Sequence, residues 1–323
     1  MSATAITLIL IAAVAHASWN LFSKQAAQTG AISFIWLAAT AATLLYIPVI
    51  GVAWAGGWLH LTALGWVFMA GTGVLESAYF VFLQSGYRLG DLSLVYPVGR
   101  GTGALLAAVA GIAFLGERPG PVAIGGIIAV VAGIALIGAP AQASTASAGP
   151  PAPPGLTSAD GATKERRRSE EGRRRLSAAR SSPASTAIGF ALATGVFIAS
   201  YTLWDRYAVA TLGTSALLQG YATFPFMAVV FALPARRAAG RTALVWHRYR
   251  LQVVGAAVLM PLAYILVLAA LAFTAVSVVA PAREVSVLFG VLMGGRLLGE
   301  GSVARRLTAA VAIAGGIIAI AVG

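Results

Sequence analysis

Residues 92–117 read LSLVYPVGRGTGALLAAVAGIAFLGE, and residues 275–300 read AVSVVAPAREVSVLFGVLMGGRLLGE. Each is an apolar run that carries a Pro and an Arg in its first half and ends on Leu-Gly-Glu. Arg100, Gly116, Glu117 and, further on, Gly133 recur as Arg283, Gly299, Glu300 and Gly316, each 183 positions later, and Ser93-x-x-x-Pro97 is echoed by Ser277-x-x-x-Pro281. A constant offset through two consecutive segments marks an internal repeat. About 20 mostly apolar residues span a bilayer. Backbone groups in lipid must be satisfied within the segment, so each run reads as a transmembrane helix.

Outward from this pair, Ser18-Trp19-Asn20-Leu21 is matched by Ser200-Tyr201-Thr202-Leu203, and Lys24 by Arg206. Apolar runs long enough to span fall at 3–23, 31–54, 62–87, 92–116 and 120–138, and again at 185–207, 213–234, 251–273, 277–299 and 304–322. Because five is odd, a second copy of a five-helix unit enters the membrane from the opposite side. The expectation is an all-α membrane protein: ten transmembrane helices arranged as two inverted five-helix repeats, residues 1–138 and 185–323, a recurring carrier architecture. Between them, residues 139–184 hold Pro150-Pro151-Ala152-Pro153-Pro154 and the triplets Arg166–Arg168 and Arg173–Arg175. Low hydrophobicity and dense charge cannot support a core, so this reads as a disordered basic linker. Binding of anionic headgroups is its functional reading.

Composition agrees. Apolar residues make up 59% of the 323 and charged residues 10%, against about 25% charged in soluble domains. The net charge of +12 lies in loops between apolar runs, which excludes a nucleic-acid module in favour of membrane topology. There is no cysteine, hence no disulfide, thiolate metal site or Cys nucleophile. Ala15-His16-Ala17 looks like a cleavage site, but no basic residue precedes Lys24 and the apolar run continues to Phe22, so the first segment reads as a retained helix. Lys and Arg concentrate after the odd-numbered helices, which places the linker in the cytoplasm and both termini outside a plasma or inner membrane.

His16-Ala-Ser-Trp-Asn20, Gly90-Asp-Leu-Ser-Leu-Val-Tyr-Pro-Val-Gly-Arg-Gly101, Leu115-Gly-Glu117, Ala280-Pro-Ala-Arg-Glu-Val-Ser-Val-Leu-Phe289 and Leu298-Gly-Glu300 together carry a resemblance. On these stretches the chain resembles the EamA-type ten-helix branch of the drug/metabolite transporter superfamily, over nearly its whole length except the linker. The resemblance implies a membrane carrier, often an exporter of amino acids, other metabolites or drugs, that hydrolyses no ATP. The chain departs from it in its long basic linker and in a charge bias that puts the termini outside, where well-known members have them in the cytoplasm.

Ionisable groups inside spans are costly, and each is a functional candidate by default. Here they are His16, Glu76, Arg100, Arg283 and Glu284; with His16 neutral, two Arg balance two Glu. Buried pairs that fix helix packing are the bland reading and a substrate path the sharper one. Arg100 and Arg283 enter from opposite faces, each roughly 10 Å deep at 1.5 Å per residue. His16 and Asn20 share a helix face, as do Glu76, Tyr79 and Phe80, and Tyr96 and Arg100. The expected substrate-binding set, lined for an amphipathic solute, is His16, Trp19, Asn20, Glu76, Tyr79, Tyr96, Arg100, Tyr201, Tyr264, Arg283 and Glu284. The pairs Arg100–Glu284 and Arg283–Glu76 are expected; Arg283 and Glu284, adjacent and about 100° apart on a helix, are not expected to pair. Pro97, Gly99, Gly101 and Gly103 are expected to break the fourth helix, with Pro281 matching in the ninth. Glu117 and Glu300 read as caps of the helices that follow them. Trp54, Trp58, Trp66 and Trp246 read as interfacial anchors.

Glu76, midway along its helix where burial penalises the charged carboxylate, is the proton-coupling candidate. No His-Glu-x-x-His, Walker pattern or Cys is present, which argues against an enzyme, and no cofactor or metal is called for. The partners expected are a small-molecule substrate and the lipid bilayer, with a homodimer left open. A channel-like or lipid-translocating protein without ion coupling is the alternative class.

Overall fold

The computed structural model describes residues 1–59, 62–90, 92–138, 159–286, 288–289 and 303–323. Its elements are α1 (Ala3–Ala55), α2 (Ala63–Leu89), α3 (Leu92–Phe114), α4 (Pro121–Gly138), α5 (Ala159–Ala210), α6 (Ala216–Val230), α7 (Ala232–Arg237), α8 (Ala239–Leu271), α9 (Val276–Ala282) and α10 (Val303–Val322). No strand occurs among the described residues. α1, α2, α3, α5 and α8 contain stretches long and apolar enough to cross a membrane, and α4, α6 and α10 carry shorter ones.

Caps and glycines set the boundaries. The Ser2 hydroxyl accepts from the Ala5 amide at 3.2 Å and opens α1; Thr62 does the same for α2 through the Gly65 amide at 3.0 Å. The loop after α3 turns at Gly116 and the one after α5 at Gly213, with φ of 66° and 67°, a region L side chains avoid.

Two expected loops prove tighter than the apolar runs suggested. α1 has 53 residues, roughly 80 Å at 1.5 Å per residue, too long for one crossing of a core about 30 Å thick. Its only non-helical backbone is at Gly30 (φ 178°, ψ 80°). A Cβ there would lie 2.9 Å from Arg241 Cγ and 3.0 Å from Val245 Cγ2, so Gly30 lets α8 approach the break. Lys24, expected in a loop, stays helical and reaches across to donate to the Tyr87 and Gly90 carbonyls at the end of α2, at 3.0 and 2.9 Å. α8 is broken in turn at Tyr249, close to the start expected at 251.

The linker departs from expectation over part of its length. Residues 159–184 are helical and run unbroken into α5, while 139–158 lie outside the described residues. The sequence supplies a reason: Asp160/Lys164, Glu170/Arg174 and Glu171/Arg175 stand four apart with the acid first, the favourable order on a helix.

The two halves do not pack as separate units. α1 packs chiefly on α8, α2 and α3 on α5, and α4 on α10. Gly99 and Gly103 of α3 serve this packing, and the helix is not broken at them but continuous from Leu92 to Phe114. A Cβ on Gly103 would lie 2.5 Å from Ile198 Cγ2, and one on Gly195 would lie 2.9 Å from the Gly99 carbonyl. Small residues let helix backbones approach closely in lipid. Trp54, Trp58 and Trp66 are largely exposed, as interfacial anchors are.

Candidate functional site

α9 ends at Ala282, and Arg283 and Glu284 form a turn before helical backbone resumes at Val285. Pro281 lies in the last turn of α9 and has no amide to continue a ladder. Off the regular helix, the 100° separation of neighbours lapses, and Arg283 and Glu284 do pair, against expectation: Arg283 Nε lies 3.4 Å from Glu284 Oε1. Arg100, from α3, donates through Nε to Glu284 Oε2 at 3.0 Å, the pair expected from the sequence. One carboxylate, 0% exposed, thus joins both guanidiniums. The Arg283–Glu76 pair does not form; Arg283 turns instead to Thr202 on α5, donating through Nη2 to Oγ1 at 3.1 Å. Arg100 Nη2 reaches Ser286 Oγ at 3.4 Å, to which the Tyr96 hydroxyl also donates at 3.1 Å. Arg100 Nη1 is buried and has no hydrogen-bond partner among the described residues.

The remaining expected residues are all buried. Ring contacts run from Trp19 to Phe80 (5.5 Å), Phe80 to Tyr79 (4.8 Å), Tyr79 to Tyr201 (5.7 Å) and Tyr201 to Tyr264 (5.9 Å). This aromatic file joins α1, α2, α5 and α8. His16 Nδ1 lies 3.1 Å from the Ala12 carbonyl and thus carries the proton. Asn20 donates to the His16 carbonyl at 2.8 Å and accepts from the Tyr87 hydroxyl at 2.8 Å, so its amide has partners on both sides.

One ionisable group was missed. Asp205, on α5, is fully buried. It accepts from Thr72 Oγ1 and Gln219 Nε2 through Oδ1, the latter at 3.0 Å, and from the Tyr264 hydroxyl through Oδ2. In sequence it sits between Trp204 and Arg206 near the end of its span, which hid it among loop charges. Helical spacing was the available signal: Tyr201, Thr202 and Asp205 lie three and four apart, on one face. Glu76, on α2, is within electrostatic reach of Asp205 and Arg283, with Tyr264 beside it.

Glu117 also acts elsewhere than expected. Its two carboxylate oxygens accept from the amides of Val276 and Ser277, at 2.9 and 2.8 Å. The helix it caps is α9, in the other half, rather than α4. Glu300 lies outside the described residues.

Residues 3–139 match the EamA-like transporter family, so the resemblance carried by the motifs holds for the first half of the chain. No curated protein matches the sequence. Nineteen chains of solved structures do. One, described only as "Crystal structure of protein", is 17% identical with a TM-score of 0.60 and covers 99% of this chain and 96% of its own. At that identity the likeness concerns fold alone. The match is to a family of membrane transporters, and five helices among the described residues are long and apolar enough to cross a membrane.

Proposed function

We propose that this EamA-like protein is a secondary carrier, an exporter that moves a small metabolite, amino-acid-like solute or drug by alternating access, with proton coupling at Glu76. The reading takes the chain as ten helices in two inverted repeats, 1–138 and 185–323, with residues 139–184 on the cytoplasmic face and the termini outside. The length of α1, the break at Gly30 and the cross-half packing support it. His16, Trp19, Asn20, Glu76, Tyr79, Tyr96, Arg100, Tyr201, Tyr264, Arg283 and Glu284 line the path, and Asp205 and Thr202 join them.

One observation carries the proposal: Arg100 Nη1, a guanidinium nitrogen at lipid depth, has no acceptor among the described residues. Leaving a charged donor unsatisfied costs roughly 1–3 kcal/mol or more, a cost that an acceptor group on a solute removes. The aromatic file beside it supplies apolar contact for the rest of an amphipathic molecule. In liposomes of purified protein, flux should saturate, and Arg100→Ala and Arg283→Ala should abolish it per folded molecule. Unchanged flux in both variants removes the arginines from the path. Glu76→Gln should lose gradient-driven accumulation while retaining exchange. Topology is open to a clean thiol test, since the chain has no cysteine: Cys at Ser158 should resist an impermeant reagent in intact cells, and Cys at Ser2 should react.

A second reading, lipid translocation without ion coupling, draws on a lateral crevice of about 560 Å³ lined by Trp54, Trp66, Met69, Leu218, Pro225 and Phe226, among others. Lipid scrambling by the same liposomes, unaffected by Arg100→Ala, would favour it.

A further inference from the structure

Asp205 upsets the charge balance on which the sequence reading rested. The buried cluster holds two cations, Arg100 and Arg283, and three carboxylates, Glu76, Asp205 and Glu284. Glu284 engages both guanidiniums. Among the described residues no cation forms an ion pair with Glu76 or Asp205: Arg283 acts on them only at a distance, and Arg206 is half-buried on another face of α5. With all three carboxylates ionised, the cluster carries one unbalanced negative charge inside a membrane, where such a charge is strongly disfavoured.

The hydrogen bonds show the same deficit as a shortage of donors. Around Asp205 are Thr72 from α2, Gln219 from α6 and Tyr264 from α8, each hydrogen-bonded to it, with Glu76 of α2 and Arg283 beyond α9 within electrostatic reach. Facing Glu76 are Asp205, Tyr264, Thr223, Arg283, Tyr79 and Tyr201. The Tyr264 hydroxyl has one proton and gives it to Asp205. Thr72, which donates to Asp205, stands one turn before Glu76 on α2, so Glu76 lies one helical turn from the network around Asp205. The Gln219 amide that donates to Asp205 leaves its own oxygen buried without a partner among the described residues, an acceptor that a protonated carboxyl would satisfy.

We propose that Glu76 and Asp205 form one proton-binding site that holds a single proton between them. The proton comes from water on one side of the membrane and leaves to water on the other, and no bond other than O–H forms or breaks. His16 does not take its place: its Nδ1–H is held by the Ala12 carbonyl on α1, and it makes no hydrogen bond to the groups around Asp205 among the described residues. This deepens the proposed carrier function and rests on it only for the meaning of the proton, not for its presence.

The count has an unusual consequence. Removing either carboxylate leaves two against two, so the other stays ionised, and each single substitution abolishes the site completely rather than halving it. The test is infrared spectroscopy of the full-length protein in liposomes near neutral pH, following the carbonyl band of a protonated carboxyl. Wild type should show one carboxyl equivalent per chain, and Asp205→Asn and Glu76→Gln should each show none. His16→Gln should keep the band. Tryptophan fluorescence checks folding, and Asn keeps an oxygen for Thr72 and Gln219. A wild type without the band, or a band that survives in Asp205→Asn, overturns the shared site. Flux is read separately: a band that behaves as stated in a protein whose accumulation ignores the pH gradient leaves the site standing and sinks proton coupling. Lost coupling in Glu76→Gln, with the band unchanged in Asp205→Asn, does the reverse.

Discussion

Replacing Glu284 with Gln removes the one carboxylate among the described residues in ion-pair contact with two buried guanidiniums. Its oxygens lie 3.0 Å from Arg100 Nε and 3.4 Å from Arg283 Nε, and none of the three side chains is more than 3% exposed. Gln keeps the shape and one acceptor but turns a triad of net charge +1 into one of +2, with no other carboxylate in ion-pair contact. Breaking a buried pair by removing one partner costs about 3–5 kcal/mol, and here one deletion strips both. Arg283→Gln leaves the shorter Arg100–Glu284 contact intact and forfeits the 3.4 Å contact and one hydrogen bond to Thr202, on the order of 1.5–3 kcal/mol for a bond to a charged group. Glu284→Gln should therefore be the more damaging of the two. The double variant should cost less than the sum, because it also removes one stranded cation. Unfolding of detergent-solubilised protein in increasing sodium dodecyl sulfate, followed by fluorescence of the seven tryptophans, measures all three. If Glu284→Gln unfolds within about 1 kcal/mol of wild type, or more easily withstands denaturant than Arg283→Gln, the carboxylate is not what holds the arginines.

Glu117→Ala should lose both bonds to the α9 amides, about 1.5 kcal/mol each at the low end for a half-buried acceptor. Gly111→Ala should mimic it, since a Cβ there would lie 2.6 Å from Glu117 Oε2; equal stability of both variants to wild type dismisses the cap. Gly316→Leu should cost about 1–3 kcal/mol through overpacking, because its Cβ would lie 2.7 Å from the rigid Gly126 carbonyl. Gly125→Leu, into open space, is the control, and the same yield of folded protein from both would mean that α4 and α10 do not meet closely.

Helix existence was legible because lipid asks little beyond length and apolarity, and the runs around Arg100 and Tyr264 supplied both. The breaks were harder. Gly30 ends a span without any polar loop, and the glycines around Arg100, which look like a break, are contact points for α5. That distinction depends on what lies opposite each glycine, which a single chain does not state. In the site, Arg100 and Glu284 paired as their depths suggested, since opposite charges isolated in lipid have few alternatives. Asp205 was hidden by position: beside Arg206 at a span's end it resembles any interfacial charge, and only Thr72, Gln219 and Tyr264, from three other helices, mark it as interior. Glu117 was recognised as a cap but matched to the wrong helix, because chain order favours the nearest amides and the fold offers nearer ones in space.

The pairing of α4 with α10 bears on how the protein is made. α4 leaves the ribosome long before Val303 opens α10, and its Gly126 and Gly133 face backbone and side chains of that later helix. Until α10 is synthesised, a strip of nearly bare helix backbone has only lipid or the insertion machinery against it. The same holds for α1 awaiting α8 and for α2 and α3 awaiting α5. Insertion can therefore proceed helix by helix while tertiary packing waits for the end of translation. A nonsense codon just before Val303 would leave α1 on α8 and α2 and α3 on α5 but strand α4 without its principal partner, its bare glycine face a ready target for membrane proteases.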